Sequence, residues 1–255
     1  MLSNSWSYID QYADYDNIRQ AITRARTQGR DGNDAVVVFA SGNFNQLYSG
    51  VAFPANVNGV VTVGAINNQG LIWNYSSRGP EIDLVAPSGD VNLLGDVYTT
   101  DRTGSLGYTT GKYVFTFGGT SAACPQVAGV AALALSLQPD LSESQLVSYL
   151  TTNATDIGVT GFDNTYGFGL VSASKTIQSI LNDSYSTAIN GRSKVCNSEE
   201  SSYSLTGIPP GTTISVAGET SLRKPLPLTG GRNEWYTAKK GCPDIQDSPY
   251  KNPPG

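Results

Sequence analysis

From Ala35 to Ala40 every position is apolar: Ala35-Val36-Val37-Val38-Phe39-Ala40. A short continuous run rich in β-branched residues reads as a strand covered on both faces, the mark of a parallel sheet. Gly59-Val60-Val61-Thr62-Val63-Gly64-Ala65 reads the same way, and Ile82-Asp83-Leu84-Val85-Ala86-Pro87 is a third short strand. Ile18, Ala21, Ile22 and Ala25 recur at helical spacing after the capping residues Asp14 to Asn17, until Gly29 stops the run. The strongest helix signal starts at Ser121 and ends near Leu137, before Pro139. Another helix opens at Leu141-Ser142-Glu143-Ser144-Gln145, with Leu146, Val147 and Leu150 on one face, and a last one is expected over residues 172–182. The turn-rich stretch 88–117 holds one weaker strand, Tyr113–Phe117. Strands alternating with helices predict an α/β fold built on a mostly parallel sheet.

This pattern ends near residue 184. Beyond it Ser, Asn, Thr, Gly and Pro dominate and helical periodicity disappears, so a domain boundary is expected over 183–184. Three cysteines, at 124, 196 and 242, have no metal-ligand spacing. The net charge of −5 offers no basic stripe for phosphates, which argues against a nucleic-acid partner. The longest apolar run, Gly129 to Leu135, is far shorter than the ~20 residues that span a bilayer, so no membrane span is expected. Met1-Leu2-Ser3-Asn4 has neither the basic nor the apolar region of a signal peptide.

One segment carries chemistry. In Gly118-Gly119-Thr120-Ser121-Ala122-Ala123-Cys124-Pro125-Gln126-Val127-Ala128-Gly129, two glycines feed a Thr-Ser pair into a helix of small residues. A serine on a first helical turn lies at the positive end of the helix dipole, beside backbone N–H groups without intrahelical acceptors. On its own a Thr-Ser pair merely caps a buried helix. The twelve-residue run as a whole resembles the nucleophile segment of subtilisin-like serine proteases.

Further segments resemble the same family in the same order. Val37-Val38-Phe39-Ala40-Ser41-Gly42-Asn43 is similar to the strand that ends in the family's oxyanion-hole asparagine. Phe53-Pro54-Ala55 with residues 59–65 resembles the specificity-pocket segment, and the resemblance implies a cis Phe53–Pro54 bond. Asn74-Tyr75-Ser76-Ser77-Arg78-Gly79-Pro80 through Ala86-Pro87 matches almost residue for residue. Leu2-Ser3-Asn4-Ser5-Trp6-Ser7 resembles the strand that pairs with the substrate backbone, with Ser7 where the family usually has Gly.

The resemblance covers roughly residues 1–182 and implies a three-layer α/β serine endopeptidase domain whose N-terminal part is missing. It assigns Ser121 as nucleophile and Asn43 as oxyanion donor. It places Ser5, Trp6, Ser7, Ala40, Ser41, Gly42, Ala52 and Phe53 against a polypeptide substrate. A monomer that is secreted or at the cell surface is implied. No cofactor is needed for the chemistry, no metal ligand is assigned, and structural calcium has no assignable site.

Histidine is absent from all 255 residues. The family places its Asp and His-Gly motifs before the segment that begins here at Leu2, so this chain alone is expected to be inactive. A peptide-binding pseudoprotease is one alternative. A sedolisin-like carboxyl protease is another, and Asn43 speaks against it because that family uses an aspartate there. Ser193-Lys194-Val195-Cys196 and Ser202-Tyr203-Ser204-Leu205 through Pro209-Pro210-Gly211-Thr212 resemble the start of an Ig-like module found after secreted Bacteroidetes proteases, which implies a linker and the start of such a module over residues 184–217. Residues 218–255 read as a disordered tail.

Overall fold

A computed structural model describes residues 1–90 and 97–184, and the backbone of four short strands beyond them. The chain forms two compact units, Met1–Ile180 and Leu181–Gly255.

The first unit is built on four parallel strands in sequential order: β1 (Leu2–Asn4), β2 (Val37–Ala40), β3 (Val61–Ile66) and β4 (Leu84–Pro87). Strand side chains alternate between the two faces, and the apolar run from Val36 to Ala40 is therefore divided. Val36, Val38 and Ala40 join Val61, Val63, Ala65, Leu84 and Ala86 in one core. Val37 and Phe39 enter the other, with Ile22, Phe53, Val57 and Ile82. Two buried faces account for an uninterrupted apolar strand.

Helix α1 (Asp16–Gln28) contributes Ile22 to the second core. Helices α2 (Thr120–Leu137), α3 (Glu143–Thr152) and α4 (Ala173–Ser184) line the first. The result is three layers, as expected. Ala123, Ala131 and Ala134 of α2 are fully buried, and such small side chains let the helix lie close across all four strands. By length and composition α2 could cross a bilayer, but half of it is buried in the protein's own core.

Helix α3 starts with a reciprocal capping box. Ser142 Oγ accepts from the Gln145 N–H, and the Gln145 side chain accepts from the Ser142 N–H. Arg26 of α1 forms a two-pronged ion pair with the buried Glu143, Nε to Oε1 at 2.5 Å and Nη2 to Oε2 at 2.9 Å. It thereby ties α1 to α3.

Strand β5 (Val97–Thr100), unexpected from the sequence, pairs with β6 (Tyr113–Phe117) in an antiparallel ribbon. In the second unit β7 (Ala188–Asn190), β8 (Ser201–Thr206), β9 (Ser221–Arg223) and β10 (Glu234–Lys239) form an antiparallel sheet in the order β7-β8-β10-β9. Strands β9 and β10 lie within residues 218–255, where composition predicts disorder. The β-favouring cluster Trp235-Tyr236-Thr237 is the local signal for β10. The other residues of that segment lie outside those described.

Candidate active site

The site is assembled where the carboxyl end of β2 meets the N-terminus of α2. Open α/β sheets bind ligands outside the carboxyl ends of their strands. Gly119 caps α2 with φ 78° and ψ 167°, a left-handed backbone that favours glycine. A side chain at Gly118 would meet the Gly89 carbonyl oxygen at 2.4 Å. Ser88 Oγ donates to the Gly119 carbonyl at 2.6 Å, and the Gly119 N–H donates to Tyr75 Oη at 3.2 Å. These bonds hold the turn that delivers Thr120 and Ser121.

Thr120 is buried. Its N–H and its hydroxyl both donate to Asn43 Oδ1 at 2.9 Å, and its Oγ1 accepts from the Gly42 N–H at 3.3 Å. Only the carbonyl oxygen of Asn43 can accept an N–H, so this double contact settles which way the amide faces. The amide nitrogen is turned to the other side, and no hydrogen bond occupies it among the described residues. Asn43 and Ser121 are both partly exposed.

Ser121 is the second residue of α2, and its hydroxyl makes no hydrogen bond among the described residues. Its carbonyl lacks the usual helical partner, because the residue four positions on is Pro125, which has no N–H. Ser5 Oγ donates to that carbonyl instead, at 3.1 Å. The end of β1 is further tied to α2 by Cys124, whose Sγ lies 3.5 Å from the Asn4 carbonyl. Burial raises the Cys124 thiol above its ordinary pKa, which keeps it protonated and unreactive.

The expected substrate-lining residues divide into two groups. Ala40, Ser41, Ala52 and Phe53 are each 4% exposed or less. The Ala52 N–H donates to the Ser41 carbonyl at 3.2 Å and the Phe53 carbonyl accepts from the Tyr8 N–H at 2.9 Å, while Ala40 and Phe53 belong to different cores. The Phe53 ring is covered by Tyr8, Tyr15 and the Arg19 guanidinium. Gly42 is also buried. Ser5, Trp6 and Ser7 lie nearer the surface; Trp6 is 46% exposed, its ring edge-on to Phe39. Only Leu2–Asn4 of the first segment is a strand, and it pairs with β2 at the edge of the sheet. The Phe53–Pro54 bond is cis.

From the sequence Thr120 reads only as a helix cap, and Tyr75, Ser88 and Pro125 carry no role of their own. Pro125, four residues after the serine, is a readable sign of a freed Ser121 carbonyl. The Tyr75 and Ser88 contacts join distant segments and leave no local sign.

A cavity of about 680 Å³ lies at the opposite, N-terminal ends of the strands, beside Arg26, Thr62, Asp83 and Glu143. Burial pushes the Asp83 carboxyl up to about 6, against the opposing effect of the Thr62 N–H that donates to it at 2.7 Å.

The chain belongs to the subtilase family, whose model matches residues 1–169. It is 33% identical over 184 residues to a calcium-dependent protease of Trichormus variabilis, covering 65% of this chain and 28% of that protein. With a thermostable alkaline protease of Halalkalibacterium halodurans it shares 35% identity over 158 residues, 62% of this chain and 37% of the relative. Subtilisin DY of Bacillus licheniformis is 34% identical over 163 residues, 63% of this chain and 52% of the relative. A solved protease structure from Pseudoalteromonas arctica superposes with a TM-score of 0.56 at 31% identity, over 69% of this chain and 50% of that one. The chain thus spans from 28% to 52% of the length of these curated relatives.

Proposed function

We propose that residues 1–183 supply the nucleophile and oxyanion half of a serine endopeptidase centre. The observation that carries this reading is the double contact of Thr120 on Asn43 Oδ1, which leaves the Asn43 amide free beside the residue that precedes Ser121. In the reaction, Ser121 Oγ adds to a peptide carbonyl and its proton passes to a base. The Asn43 amide and the Ser121 N–H donate to the resulting oxyanion. Collapse expels the amine, which takes up the proton, and water hydrolyses the acyl-enzyme.

The base is the part this chain does not supply. It contains no histidine, and no carboxylate or amine bonds Ser121 among the described residues. A His and an Asp from polypeptide outside these 255 residues complete the centre, and the chain alone does not cleave. The alternative reading of the missing histidine is a cleft that binds peptides without cutting them.

One relative is named an extracellular serine protease, and secretion is the setting proposed here. Two relatives are named calcium-dependent proteases. Among the described residues no three His, Cys, Asp or Glu side chains converge as a donor set, so calcium is given no site here. Residues 184–217 are assigned to a linker and the start of an Ig-like module, with no catalytic part.

The test joins the chain to an upstream subtilase segment bearing the Asp and His motifs and follows casein cleavage. Ser121→Ala is expected to abolish turnover. Asn43→Ala should lower kcat about 10²–10³-fold, the loss known for removing this donor in subtilisin. Full activity of Ser121→Ala would refute the assignment.

A further inference from the structure

The ribbon of β5 and β6 carries an arrangement that the chemistry at Ser121 does not use. Tyr98, Tyr113 and Phe115 stand on one face of it. Tyr98 stacks on Tyr113 at 5.3 Å and on Phe115 at 5.7 Å, with interplanar angles of 18° and 7°. The three residues are 62%, 49% and 60% exposed. The register shift between Val97 and Thr99 explains how one tyrosine meets both partners. Val97 pairs with Phe117 and Thr99 with Val114, so Tyr98 faces a stretch with one extra residue. Val114, on the other face, is buried and anchors the ribbon. Three large aromatic rings held in register and left in water mark an interaction surface rather than a core.

We propose that this platform is a docking site for the polypeptide substrate itself, away from the scissile bond, and that it favours segments with aromatic or proline side chains. The proposal rests on the peptidase reading of Ser121. Two observations select this occupant. Strand β6 runs directly into Gly118-Gly119-Thr120-Ser121, so Phe115 lies six residues before the nucleophile and no more than ~22 Å from it. An extended substrate of about seven residues covers that distance. Second, among the described residues each strand of the ribbon has a single neighbour, which leaves backbone groups for an extended chain to pair with. The rings then supply what main-chain pairing lacks, flat apolar faces on which planar side chains stack. The chain's net charge of −5 disfavours a nucleic-acid strand as the stacking partner.

The test uses the 255-residue chain and fluorescence anisotropy with a labelled twelve-residue peptide carrying Phe and Pro at alternate positions. A control peptide carries Ser at those positions. The wild type is expected to bind the first peptide and not the second. The triple variant Tyr98→Thr, Tyr113→Thr, Phe115→Thr, which keeps β-favouring residues, should lose about tenfold or more in affinity. If that variant fails to fold, hydrogen exchange on the wild type decides instead, since bound peptide should protect amides within 97–100 and 113–117. Unchanged affinity in a folded variant, or no peptide binding by the wild type, overturns the proposal. So does binding of a cello-oligosaccharide in place of the peptide. Peptide binding does not require cleavage, so the two readings fail separately. Platform-dependent binding, with no reaction at Ser121 even after the chain is joined to an upstream segment bearing the Asp and His motifs, sinks the peptidase reading alone.

Discussion

Asn43 and Thr120 stand 77 positions apart, and one carbonyl oxygen joins them. That contact converts an ordinary side-chain amide into a donor of fixed direction, because the end that accepts is already engaged. Pro125 has a comparable effect at one remove. By withholding an N–H it frees the Ser121 carbonyl, and Ser5 binds there. Neither effect is visible in a list of residue types; both depend on which partner is taken up or missing. Asp83 gives the residue scale its clearest prediction. Its carboxyl titrates at about 6 in the folded chain, above the usual 3.8, so the folded state binds the extra proton. The stability it contributes is present below about pH 4 and lost as pH rises through about 6. Asp83→Asn keeps an acceptor for the Thr62 N–H and removes the titration. Thermal melts from pH 4 to 7.5 should show the variant gaining on the wild type by at most about 3 kcal/mol. A constant difference across that range would contradict the assignment.

At the scale of elements, strands β2 to β4 and all four helices were legible in the sequence. Continuous apolar runs and helical spacing are local signals, and the two buried faces of the sheet produce the first of them. Strand β5 was hidden because its four residues lie in a turn-rich stretch and half of them face water. The tail strands β9 and β10 were hidden because short strands declare themselves only through their partners. Among the site residues, Ser121 was marked by its own segment, whereas Asn43 was assigned by resemblance alone, since a Gly-Asn after a strand is also a common turn. Helix α3 shows how strongly an element depends on its buried stripe. Leu146 and Leu150 are fully buried in the core that α2 shares. Leu150→Ala should cost about 2–5 kcal/mol, read as a lower midpoint in urea. A shift below about 1 kcal/mol would mean that α3 packs loosely on the sheet.

For the whole molecule, the decisive features are what the first unit holds and what it does not. It presents a serine at a helix N-terminus and a side-chain amide held against the preceding threonine, at the carboxyl end of a parallel strand. No residue of the chain can serve as the histidine base of its relatives, because the chain has none. The central claim is therefore that Ser121 is a correctly placed nucleophile that lacks only its activating partners. The most direct measurement is covalent labelling by a fluorophosphonate probe, with the modified residue located by mass spectrometry. The 255-residue chain alone should remain unlabelled at Ser121. The same chain, joined to an upstream segment bearing the Asp and His motifs, should be labelled at Ser121 and at no other serine. Rapid labelling of the chain alone, or labelling of the joined protein at a different residue, would contradict the account.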